Sequence, residues 1–261
     1  MTPHLYIVGN LGVAVAVNLL LGLIAWKAKS ITRGGLAATL IMGIPVFLAF
    51  DWPGYLLLVL SFFVGDLITR FAVQQMIKKN KAVDEKKTGA RGFGALFLIG
   101  MLPLFFSIIF ILSMEPKTRF LCLVAFLAAL TTSLGDTVST EMGQVFGKRT
   151  YKLITLKRVS AGTRGAVSME GSVAGLTAIV VFAVTSLSVL QYGRGGYEHY
   201  ELGLRGLLVI IFASLIANYV ESTLGGIFSQ FSKKPSKQLL NFTGSLIGAL
   251  LAVFFTNLPE G

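Results

Sequence analysis

Eight runs of almost uninterrupted apolar residues, each near 20 long, dominate this 261-residue chain. They lie at about 5–26, 34–51, 53–72, 94–114, 119–140, 167–190, 204–224 and 239–257. At 1.5 Å rise per residue such a run matches about 30 Å of hydrocarbon. Lipid cannot satisfy a bare backbone, so each run is expected as a helix. The expected fold class is all-α: one integral-membrane domain over 1–261, with about eight transmembrane helices (seven to nine). Only 13% of residues are charged, against roughly 25% in soluble domains. The first run lacks a basic leader and a small-residue cleavage site, so it reads as a retained helix. Cys122, the single cysteine, falls inside a run and reads as a small packing residue.

The net charge of +11 sorts by side of the membrane. The segments that follow the odd-numbered runs, Arg70 included, hold 19 of the 23 Lys and Arg; the alternate segments hold Lys117, Arg119, Arg194 and Arg205. This alternation follows the positive-inside rule. It predicts external termini and basic cytoplasmic loops, the longer ones at about 73–93, 141–166 and 225–238. Those loops suit anionic membrane lipids. No soluble basic face is available to nucleic acid.

Five acids, Asp66, Asp136, Glu141, Glu170 and Glu221, fall at the cytoplasmic ends of their runs. Ionisable groups at membrane depth are costly and usually face a polar cavity. Asp136, Ser139 and Thr140 share one helical face, and Asn218, Glu221 and Ser222 repeat the spacing. Hard oxygen ligands from two helices suit Mg²⁺; polar helix packing gives the same pattern. The loop after Glu141 carries Lys148, Arg149, Lys152, Lys157, Arg158 and Arg164. It ends in Gly162, Thr163, Gly165 and Ser168, expected as a turn that opens a helix and offers its N–H groups to an anion. The segment 143–150 misses the Walker A spacing and no strand precedes it, which excludes a P-loop fold. The two histidines, His4 and His199, fall on the other side, so no His-based triad or zinc site is expected. Gly171/Gly175 and Gly244/Gly248 read as helix-packing pairs.

At these residues the chain resembles the integral-membrane phytyl-phosphate kinases of tocopherol and phylloquinone synthesis. An Asp-Thr-x-x-Ser-Glu-x-Gly core is matched by Asp136, Thr137, Thr140, Glu141 and Gly143. A Thr-x-Lys…Gly-Thr-x-Gly-x-x-Ser-x-x-Gly segment is matched by Thr155, Lys157, Gly162, Thr163, Gly165, Ser168 and Gly171. Glu221, Ser222 and Gly225, then Asn241, match a third block, and "GARG" at 89–92, with Arg91, a fourth. Asp66 departs from the family, which more often has Ser there, and Ser229 stands where a glutamine is expected. A looser likeness extends to CTP-dependent phytol and dolichol kinases.

The resemblance implies transfer of the CTP γ-phosphate to a prenyl-phosphate lipid, phytyl or geranylgeranyl monophosphate, in the plasma or thylakoid membrane of a prokaryote, at a cytoplasmic site. It assigns Asp136, Glu141 and Lys157 to catalysis, and Asp136, Glu141 and Glu221 to Mg²⁺. It assigns nucleotide and phosphate binding to Thr137, Ser139, Thr140, Thr155, Gly162, Thr163, Arg164, Gly165, Ser168, Asn218, Ser222, Arg91 and Asn241. Asp66 and Glu170 receive no role. A secondary transporter of an anionic solute and a CDP-lipid-forming nucleotidyltransferase are the alternatives.

Overall fold

The computed structural model describes residues 3–79, 90–192, 202–229 and 236–259. Seven helices in it are long and apolar enough to cross a membrane: α1 (Pro3–Lys27), α2 (Arg33–Lys78), α3 (Phe93–Leu112), α4 (Pro116–Phe146), α5 (Met169–Tyr192), α6 (Gly203–Phe228) and α7 (Lys237–Thr256). The second is two helices in one. At Asp51 the backbone leaves helical geometry (φ 53°, ψ −166°), and Pro53 suits the first turn of the next helix. The arms 33–50 and 52–78 run back along each other. Ser30 donates to Asp66 Oδ2 at 3.1 Å across 36 residues of sequence, a separation that would span roughly 54 Å along a straight helix. The described residues therefore make eight traverses, with the breaks where the apolar runs end.

Helix α4 is the hub. Its residues 122–130 are all buried, as expected of a helix that is apolar on every side. Phe126 stacks on Phe50 at 4.4 Å, and Phe50 meets Phe110 edge-on at 5.0 Å. Helix α5 crosses α4 closely because Gly171 and Gly175 lie over Ser139. Helix α7 approaches α6 and α4 through Gly244, against Glu221, and Gly248, against Thr132.

The structure adds a small three-stranded antiparallel sheet to the all-helical expectation. It is ordered β2-β1-β3, from β1 (Thr150–Lys152), β2 (Arg158–Val159) and β3 (Ala166–Ser168). It occupies the loop between α4 and α5. Helix α4 runs to Phe146, so Glu141 is helical and does not open that loop.

Candidate functional site

A cavity of about 780 Å³ opens among α1, both arms of α2, α3, α4 and the start of α7. Its walls include Met42, Tyr55, Leu58, Phe62, Leu96 and Leu130. At the end where the basic loops meet the helices it is lined by Asp66, Arg70, Arg91, Glu141, Arg164 and Lys237. An apolar slot with a charged rim at one end suits an amphiphile with an anionic head.

One side of the rim is a fixed network. Asp66 Oδ2 accepts from Arg70 Nε at 2.8 Å and from Ser30, and Arg70 Nη2 donates to Ser30 Oγ at 2.9 Å. Arg91 Nε lies 4.0 Å from Asp66 Oδ1, with its guanidinium 5.2 Å from the Phe62 ring centroid. The backbone anchors Arg91 as well: its N–H donates to Ser30 O (2.9 Å), and its carbonyl accepts from Thr32 N–H (3.1 Å). Burial draws the Arg91 guanidinium below its usual range, and Asp66 and Glu141 oppose that shift.

Behind the other side lie three buried carboxylates. Glu141 is 1% exposed and pairs with Lys237 Nζ at 3.5 Å. Asp136 and Glu221 are 8% and 6% exposed. Asp136 Oδ1 accepts from Thr140 Oγ1 at 3.3 Å. Asp136 Oδ2 and Glu221 Oε2 have no hydrogen-bond partner among the described residues. Asn218 braces the helix beneath: with its amide oriented to suit both neighbours, it donates to Thr132 O (3.1 Å) and accepts from the Asp136 N–H (3.2 Å). Gly244 makes room for Glu221, since a Cβ there would run into the carboxylate.

Among the described residues no three acids, His or Cys form a ready-made metal cage. Mg²⁺ needs only one or two carboxylates when waters and phosphate oxygens complete its shell, and the two unpartnered oxygens fit that need.

Other expected residues are dispersed. Thr137 and Asn241 line the cavity. Ser139 is spent against Gly171 and Gly175 at the α4–α5 crossing. The Gly162–Gly165 turn does not open a helix; it links β2 to β3. There Thr163 Oγ1 donates to Ser160 O at 2.7 Å, and Gly165 (φ +68°) lies on the α6 backbone at Ser222 and Gly226. That seating sets Arg164 in the cavity wall. Ser168 accepts from the Gly171 N–H (3.1 Å) as the cap of α5, and Glu170 accepts from the Lys148 N–H (3.2 Å). Thr155 and Lys157 are exposed beside the sheet and do not line the cavity. Gly89, Arg194, His199, Gln230 and the side chain of His4 lie outside the described residues.

The model of the integral membrane protein DUF92 family matches residues 16–244. The chain belongs to that family. An uncharacterized membrane protein of Synechocystis sp. is 30% identical over 225 residues, covering 86% of this chain and 82% of its own. Protein VTE6, chloroplastic, of Arabidopsis thaliana is 29% identical over 247 residues, 92% of this chain and 70% of its own. An uncharacterized membrane protein of Methanocaldococcus jannaschii is 24% identical over 246 residues, 93% and 94% of the two chains. No solved structure gives a significant match.

Within this DUF92 chain, sequence reasoning missed Arg70 and Lys237 as site residues. Each looked like one more loop cation. A cue existed for both: Arg70 follows Asp66 at i+4, and Lys237 precedes Asn241 by the same step.

Proposed function

We propose that the protein is a membrane prenyl-phosphate kinase that transfers the γ-phosphoryl group of CTP to phytyl or geranylgeranyl monophosphate, giving the prenyl diphosphate and CDP. The observation that carries this reading is the apolar cavity whose charged rim adjoins two buried carboxylate oxygens without hydrogen-bond partners among the described residues. The motif resemblance around Asp136–Gly171, and similarity to Protein VTE6, chloroplastic, along 92% of the chain, support it.

The apolar walls hold the prenyl chain and exclude water. Arg70 and Arg91, held by Asp66, orient the acceptor phosphate as charge-assisted donors. Arg164, fixed by the seating of Gly165, faces the nucleotide phosphates. A phosphate monoester is already anionic at neutral pH, its second pKa being about 6, so the chain need not supply a general base. An acceptor oxygen forms a bond to the γ-phosphorus as the bond from that phosphorus to the β,γ-bridging oxygen breaks, and CDP leaves with the bridging oxygen. Catalysis then reduces to positioning and charge neutralisation. Mg²⁺ held by Asp136 and Glu221, with Glu141 beside them, would neutralise charge on the transferring group. We assign the basic loops to the cytoplasmic side, where CTP is available.

Purified protein supplied with phytyl monophosphate, γ-labelled CTP and Mg²⁺ should yield a labelled diphosphate lipid and unlabelled CDP. Pyrophosphate release with nucleotide retained on the lipid would mean nucleotidyl transfer instead. No transfer from any nucleoside triphosphate would overturn the kinase reading.

A further inference from the structure

Lys237 opens α7, with Ser236 as cap accepting from the Leu239 N–H at 3.1 Å. The first turn of a helix is a poor place for a cation, which meets the positive end of the dipole. Local helix stability therefore does not account for it. Its side chain is 44% exposed, yet its ammonium reaches Glu141 at 3.5 Å, where the carboxylate is buried. Lys237 lines the cavity, whereas Asp136 and Glu221 do not. One ammonium of the cavity wall thus pairs with Glu141, and Asp136 and Glu221 behind that wall each keep an oxygen without a hydrogen-bond partner among the described residues.

Buried carboxylates without compensation cost several kcal/mol each. A flexible stem carrying a compact charge can approach them or withdraw. We infer that Lys237 is a tethered counter-cation that competes with a divalent cation for the carboxylate cluster of Asp136, Glu141 and Glu221. It neutralises the cluster before the metal enters and swings into the cavity when the metal binds. This rests on the reading of that cluster as a divalent-cation site.

The test is Mn²⁺ binding to the purified full chain in detergent, read from the electron-paramagnetic signal of free Mn²⁺. Lys237→Gln should bind Mn²⁺ about tenfold more tightly than wild type, and Asp136→Asn should lose saturable binding. Equal or weaker binding by Lys237→Gln, with Asp136→Asn still defective, overturns the role of Lys237 and leaves the metal site standing. Equal binding by wild type and Asp136→Asn, or none by either, overturns the metal reading and this inference with it. A second readout needs no variant. Amine-reactive labelling of Lys237 in wild type, followed by mass spectrometry, should rise severalfold with Mn²⁺; unchanged labelling overturns the competition.

Discussion

Gly165 carries two constraints. Its φ of +68° is unfavourable for a side chain, and a Cβ would collide with the backbone of Gly226. Gly162, at φ +89°, faces open space. Gly165→Ala should therefore destabilise the protein by about 3 kcal/mol or more, overpacking added to strain. Gly162→Ala should cost only about 1–2 kcal/mol; thermal unfolding in detergent compares them. Asp66→Asn removes the charge that fixes Arg70 and Arg91. We expect KM for the lipid phosphate to rise about tenfold, the loss of one charge-assisted contact, with kcat changed much less. Steady-state kinetics separate the two. The sequence marked Asp66 as an acid at a span end, but its partner Ser30 lies 36 residues away, beyond the reach of local spacing. Asp136, Glu141 and Glu221 stand out in the sequence because acids are rare in such runs, and the structure buries all three.

Packing at the level of elements was read well where it depends on small residues. Gly171 and Gly175 do form a close crossing, with Ser139 in the groove. Gly171→Leu should separate α5 from α4 and remove the folded protein, because its Cβ would already lie 2.7 Å from the Ser139 carbonyl. Val173→Leu, at a position 55% exposed, should leave stability within about 0.5 kcal/mol of wild type, read from thermal unfolding. The sheet was not legible. Its strands of three, two and three residues are too short to show alternation. A Gly-Thr-x-Gly turn before an apolar run is equally consistent with a helix start. Lys157, expected at the chemistry, is exposed in the link between β1 and β2, and Arg164 lines the cavity.

At the scale of the whole molecule, the eight traverses of the described residues start and finish at one face, and the acid-bearing ends of α2, α4 and α6 gather at the other. The charge alternation proposes which face is cytoplasmic, and that proposal can be checked directly. Cys122 is buried, so it gives a silent background for thiol labelling. Lys157→Cys should react with an impermeant maleimide only from the cytoplasmic side, and Lys117→Cys only from outside; the reverse pattern would invert the topology. We propose that a lipid phosphate lies in the cavity with its head at the rim formed by Asp66, Arg70 and Arg91. Photo-crosslinking with a phytyl monophosphate bearing a diazirine near the chain end tests it most directly. Adducts should fall on the apolar wall, at residues such as Met42, Leu58 and Phe62, and unlabelled phytyl monophosphate should compete them away. Adducts confined to lipid-facing positions such as Leu67, Val181 or Phe212, or insensitive to competitor, would contradict the account.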